Sequence, residues 1–138
     1  MMTPKPETVR VPIRNESDVA VAIMQTRRFV AKLSLDDVAS THVTTTVSEL
    51  AMNIVKYAKR GVIQVRLLQE RSTLAIEVEA QDWGPGIPDI EVALADHRSS
   101  GGTLGLGLPG VQRLMDDLEI VSQPGRGCVV TAKLRIRA

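Results

Sequence analysis

From Asp82 to about Leu104 the chain gathers glycine, proline and serine at a density that neither a helix nor a strand can use. The stretch is too long to be a simple connector in a compact domain, so it is a candidate functional loop. Every regular element must fall before it or after it. Ahead of it, Val9, Val11 and Ile13 alternate with Arg10, Pro12 and Arg14, the pattern of an edge strand that tolerates Pro12. Ser17 suits the cap of a first helix, along which Val19, Ile23, Val30 and Leu33 recur at near-helical spacing. A second helix is expected from Ser34 to about Ala58, with Val43, Val47, Leu50 and Ile54 as its apolar stripe. Lys59 and Arg60 suit its negative end, and Gly61 the residue after it. Two strands follow, Val62 to Gln69 and Thr73 to Ala80, joined by the polar turn Glu70-Arg71-Ser72.

Beyond the loop, Pro109 suits the first turn of a helix whose buried face is Val111, Leu114, Met115 and Leu118. Ile120 to Ser122, the turn Pro124-Gly125-Arg126-Gly127 and Val129 to Ile136 then read as a closing hairpin. The order β-α-α-β-β-loop-α-β-β predicts an α+β fold, a two-layer sandwich of helices on one mixed β-sheet. With 138 residues, a single domain over 1–138 is expected, and it buries roughly two thirds of its unfolded surface. Residues 1–7, polar with two prolines, are expected to be a disordered tail.

Composition closes off several functions. The net charge of +1 with no long run of either sign disfavours broad binding to nucleic acid or anionic membrane. Phe29, Tyr57 and Trp83 are the only aromatics, too few for a base-stacking platform. Cys128 is the single cysteine, and His42 and His97 stand far apart, which argues against a disulfide and a zinc site. No apolar run reaches the ~18 residues of a membrane span, and the first ten residues lack the apolar core of a signal peptide. A cytoplasmic protein is expected.

Three constellations carry chemistry. Glu49 and Asn53 are four residues apart and share a helix face, with Lys56 extending the row. Leu50 and Ile54 lie about 100° round the helix, so burying them leaves the acid and the amide to line a neighbouring cavity. An amide oxygen suits a hard cation such as magnesium, and a carboxylate beside it can deprotonate a nucleophile. A solvated helix face would carry the same pair. Asp82 ends a strand, and its carboxylate can accept from an exocyclic amine such as adenine N6. Gly84 and Gly86 would let the backbone approach a planar ring, with Pro85 stiffening the turn. A plain turn that opens with Asp fits the same residues. Trp83 suits either a lid over a pocket or a partly buried core position. Gly101, Gly102, Gly105 and Gly107 precede a helix and offer free N–H groups to phosphates, with Ser99, Ser100 and Thr103 adding hydroxyls. The loop is neither a Walker A motif nor a dinucleotide fingerprint.

Glu49-Leu-Ala-Met-Asn53, Asp82-Trp-Gly-Pro-Gly86 and Gly101 to Gly107 resemble, in order, the N, G1 and G2 boxes of the GHKL ATPases, the gyrase, heat-shock chaperone, histidine-kinase and MutL superfamily that shares the Bergerat ATP-binding fold. SELAMNIVKYA, DWGPGIPDI and GLGLPGVQRLMDDL look most like its small members, the anti-sigma factors and switch-protein serine kinases of RsbT type. No histidine-bearing dimerisation helix pair accompanies the motifs, so a complete sensor histidine kinase is not expected, and His42 reads as structural.

The resemblance implies ATP and Mg2+ as cofactors, Asn53 as magnesium ligand, Glu49 as catalytic base and Asp82 as adenine contact. It implies a nucleotide-binding set of Asn53, Lys56, Asp82, Gly84, Gly86, Ile87, Gly101, Gly102, Thr103, Leu104, Gly105, Leu106 and Gly107. The family often has a threonine near the adenine in the last hairpin. Here the aligned position is Val129, with Thr131 two residues later, which leaves the base one polar contact fewer. The implied function is a serine/threonine protein kinase of a stressosome-type, partner-switching pathway. It would phosphorylate a STAS-domain antagonist and then activate a PP2C-type phosphatase. An anti-sigma factor that captures a sigma subunit, and a non-catalytic ATP-gated interaction module, are the rival readings. Arg27, Arg28 and Lys32 are candidate partner contacts, although a solvated helix face explains them equally.

Overall fold

The computed structural model describes residues 8–85, 107–123 and 125–136. Strand β1, Thr8–Ile13, buries Val9, Val11 and Ile13 and exposes the residues between them. It lies at one edge of the sheet, where Pro12, opposite Val62, needs no donor on its outer side. Helix α1, Glu16–Ala31, is capped by Asn15 and not by Ser17: the Asp18 N–H donates to Asn15 Oδ1 at 3.1 Å. Asp18 answers by accepting from the Arg14 N–H at 2.8 Å and from Arg14 Nε at 3.1 Å. This reciprocal arrangement resembles a capping box and favours Asn15 over the serine two positions on. The bond from Arg14 holds the Asp18 carboxyl below its ordinary range.

Helix α2, Asp37–Asn53, begins later than Ser34. Asp36 caps it, accepting from the Ala39 N–H at 2.7 Å, while Ser34 takes a left-handed φ of 56° in the preceding turn. At Asn53 the α-helix gives way to a single π turn, Ile54–Ala58, closed by a 2.7 Å bond from the Lys59 N–H to the Ile54 carbonyl. Lys59, with φ 71°, takes the left-handed position expected at Gly61. Gly61 instead opens β2, Gly61–Glu70, which turns through Arg71 into β3, Thr73–Asp82. Helix α3, Gly107–Leu114, holds Pro109 in its first turn and buries Val111. Strands β4, Asp117–Gln123, and β5, Gly127–Ile136, form the closing hairpin; Leu118, expected on the helix, belongs to β4.

The five strands run β1-β2-β3-β5-β4, and all four ladders are antiparallel, so the sheet is not mixed. Two consecutive helices return the chain to the end of β1 that it left, which makes β2 antiparallel to β1. The crossover through α3 does make β4 parallel to β3, but β5 inserts between them, so the parallel strands never pair. The core lies between sheet and helices. Ile63, Val65, Ile76, Val78 and Ala132 come from the sheet, Val19 and Phe29 from α1, and the expected stripe Val43, Val47, Leu50 and Ile54 from α2 and the π turn. Each of the valine, leucine, isoleucine and phenylalanine side chains contributes roughly 1.5–3 kcal/mol on burial, Ala132 less. The alternate sheet positions carry cross-strand charge pairs, chief among them Arg66 and the buried Glu77, 2.6 Å apart in register.

Candidate functional site

The helix that buries Leu50 and Ala51, continued by the π turn that buries Ile54, leaves Glu49 and Asn53 half-buried, as the spacing predicts. Glu49 Oε2 accepts the Gly107 N–H at 3.2 Å, across 58 positions of sequence. That bond brings the acid of α2 to the start of α3, where the glycine-rich loop ends. Asn53 is the last residue of α2, and the exposed Lys56 falls within the π turn. A π turn holds more residues than an α turn, so Lys56 is rotated off the Glu49–Asn53 row that α spacing predicts. Turns of this kind are frequent at functional sites.

Asp82 ends β3 in the middle of the sheet, opposite Gly61 on β2 and Cys128 on β5. Its Oδ1 accepts the Gly84 N–H at 3.0 Å, so one oxygen fixes the turn. Both flanking strands must be glycine here. A Cβ on Gly61 would collide with the Gln81 carbonyl oxygen, and one on Gly127 with the carbonyl oxygen of Asp82 itself. The Gly61 position also lies 3.0 Å from Ile54 Cγ2 and 3.1 Å from Asp82 Cα. The residue after Asn53 and the end of β3 therefore meet around one missing side chain. Gly84 permits a close approach to Ala58 of the π turn. The Gly125 N–H donates to the Pro85 carbonyl at 2.8 Å, tying the segment to the β4–β5 turn.

Trp83 is 51% exposed and so is no core residue; Tyr57, 62% exposed, lies on the neighbouring π turn. Two of the chain's three aromatics thus stand at this end of the sheet. Gly86, Ile87, Gly101, Gly102, Thr103, Leu104, Gly105 and Leu106 lie outside the described residues.

Register corrects the expectation for the last hairpin. Val129 pairs with Gln81, so strand alternation puts it on the sheet face opposite Asp82. Cys128 pairs with Asp82 and shares its face, 4% exposed. Burial, and then the Asp82 charge, push its thiol up to about 11. In the sequence this cysteine stands out only as solitary. Its place beside Asp82 becomes visible once the strands are paired.

The donor set suits magnesium. An amide oxygen at Asn53 with a carboxylate one turn away offers the hard, few-ligand protein contribution that this ion takes when phosphates complete its shell. Among the described residues no three His, Cys, Asp or Glu side chains converge on a metal position. A separate cavity of about 420 Å³ lies between α1 and α2, where Arg27, Val30, Leu35 and Thr44 line it. None of its lining residues belongs to the Glu49–Asp82 site.

Helices packed on an antiparallel sheet, with Glu49 one turn before Asn53 and bonded to the first amide of α3, define a GHKL-type ATPase domain. The model of the histidine kinase-like ATPase domain matches residues 11–133, and the chain belongs to that family. It is 39% identical over 122 residues to the serine/threonine-protein kinase RsbT of Bacillus subtilis, covering 88% of this chain and 92% of that one. It is 34% identical over 110 residues to the anti-sigma F factor of Caldanaerobacter subterraneus, with 74% of each chain covered. Among solved structures, the RsbU and RsbW domains of a Mycobacterium tuberculosis protein align with a TM-score of 0.63 at 17% identity. That alignment covers 98% of this chain and 34% of the other. The mycobacterial sensor histidine kinase MprB aligns with a TM-score of 0.56 at 22% identity, covering 96% and 99%. These two likenesses speak to the fold.

Proposed function

We propose that this chain is an ATP-dependent serine/threonine protein kinase whose substrate is a small STAS-domain antagonist in a partner-switching pathway. The observation that carries the reading is Glu49 bonded to the Gly107 N–H, which joins a candidate base to a candidate phosphate seat. Likeness to RsbT over most of both chains supports it.

In this reading the purine amine donates to the second oxygen of Asp82, the first, Oδ1, being engaged by the turn. The exposed ring of Tyr57 offers an apolar face nearby. Asn53 would hold the magnesium ion, which when bound neutralises charge on the phosphate oxygens. Amides at the start of α3 that make no bond within the helix, Gly107's among them, favour negative charge on the terminal phosphate. Glu49 orients the partner's hydroxyl. The hydroxyl oxygen attacks the terminal phosphorus, the bond to the bridging oxygen of ADP breaks, and the hydroxyl proton passes to the Glu49 carboxylate. After transfer the kinase would leave its phosphorylated partner and activate a PP2C-type phosphatase. A cytoplasmic location goes with this role; among the described residues no helix is long and apolar enough to cross a membrane.

The test incubates the chain with labelled ATP, magnesium and a STAS-domain protein encoded beside it. Label should appear on a serine or threonine of the partner and be absent with Glu49→Ala, which retains ATP binding. Normal transfer by that variant would remove Glu49 from its role. Likeness to anti-sigma F factors favours a second reading, capture of a sigma subunit. Co-purification with a sigma factor that survives loss of nucleotide would select it. Tight ATP binding with no label on any partner would select an ATP-gated interaction module.

A further inference from the structure

We propose that Glu49 competes with the nucleotide's terminal phosphate for the Gly107 amide, and thereby sets the chain's preference between nucleoside triphosphate and diphosphate. The inference rests on the kinase reading and deepens it. Gly107 is the first residue of α3, so its N–H is one of the donors that the helix itself leaves unpaired. That donor serves Glu49 Oε2 at 3.2 Å. A single N–H cannot serve two anions at full strength, and a carboxylate beside an incoming phosphate repels it.

The surroundings let the side chain yield rather than the helix. Leu50 and Ala51 anchor the backbone of α2 in the core. Gly107, with φ 64°, carries no side chain, and among the described residues a Cβ there would meet only Pro109 Cδ, at 3.6 Å. A triphosphate that takes the donor releases the Glu49 carboxylate, which is then free to accept a proton. The base stays engaged until the complete substrate arrives to free it. A diphosphate lacks the group that makes the exchange.

Calorimetry with a nonhydrolysable ATP analogue and with ADP tests this on wild type, Glu49→Ala and Glu49→Asp, each checked for folding by circular dichroism. Aspartate keeps the charge but shortens the reach. Both variants should bind the triphosphate analogue about two- to fivefold more tightly, the scale of a carboxylate at a helix end. ADP affinity should stay within error. Unchanged or weaker analogue binding by Glu49→Ala overturns the proposal. So does a gain confined to Glu49→Ala, which would assign the effect to charge alone. In nucleotide-free protein, the Gly107 amide proton resonance should move on Glu49→Ala as the 3.2 Å bond is lost; an unmoved resonance would also overturn the proposal. Failure of wild type to bind either nucleotide would instead defeat the kinase reading.

Discussion

A Cβ placed on Gly84 would sit 2.6 Å from both the Cα and the Cβ of Ala58. The turn that follows β3 is thus pressed directly on the π turn that follows α2. Gly84→Ala cannot be absorbed by a flexible side chain, because the obstacle is backbone. It should cost about 1–3 kcal/mol of stability, the usual range for overpacking, and should weaken nucleotide binding by displacing Asp82. Urea denaturation and calorimetry would read the two effects. A variant as stable as wild type would show that the turn can move away from Ala58.

Asn53 ends α2 half-buried, and its side chain packs no core. Asn53→Ala should therefore leave thermal stability nearly unchanged while removing magnesium-dependent nucleotide affinity. Loss of a contact to a charged group is worth about 1.5–3 kcal/mol, or roughly ten- to a hundredfold in Kd. Titrations with and without magnesium should differ in wild type and coincide in the variant.

The Cys128 thiol, raised to about 11 by burial and by Asp82, carries a pH signature. Unfolded, the thiol ionises near 8.5. Below that value both states hold the proton and the group adds no pH dependence. Between there and about 11 the unfolded chain loses the proton first, so stability falls as pH rises. The fall in Tm across that window should be shallower in Cys128→Ala than in wild type. Equal slopes would show that the thiol titrates normally in the folded protein. At pH 8 the folded protein should also react slowly with iodoacetamide, since the thiolate is the nucleophile.

Asn15 and Ser17 offer a direct comparison of caps. Asn15→Ala removes the side-chain acceptor of the Asp18 N–H, leaving only the Asn15 carbonyl, and should cost about 1 kcal/mol. Ser17→Ala, inside the first turn, should change stability by less than about 0.5 kcal/mol. Thermal melts of the two variants decide which residue begins the helix.

Much of this arrangement is legible in the amino-acid sequence. The stripe Val43, Val47, Leu50 and Ile54 announces the buried side of α2, and its phase leaves Glu49 and Asn53 half-buried as expected. The turn at Arg71 and the closing hairpin follow from local composition. What escapes a sequence reading depends on neighbours remote along the chain. Nothing near Gly61 or Gly127 says that each is glycine because of Gln81 and Asp82 on the next strand. Cys128 and Val129 exchange roles with a one-residue change of register, which only pairing with β3 decides. Asn15 and Ser17 are both good caps, and the choice falls to Asp18 and Arg14. The π turn has no sequence signal, since Ile54-Val-Lys-Tyr-Ala58 suits an ordinary helix equally well.

Strand β3 is laced on both sides, to β2 along its whole length and to β5 from Leu74 to Asp82. Amides at Ile76, Val78 and Ala80 should exchange with deuterium only when the whole molecule opens. Asp82 is thus mounted on the stiffest beam of the framework, whereas Gly107 opens a helix of only eight residues. A ligand reaching from one to the other would find its first foothold already rigid, and its grip at the far end would brace the open end of a short helix.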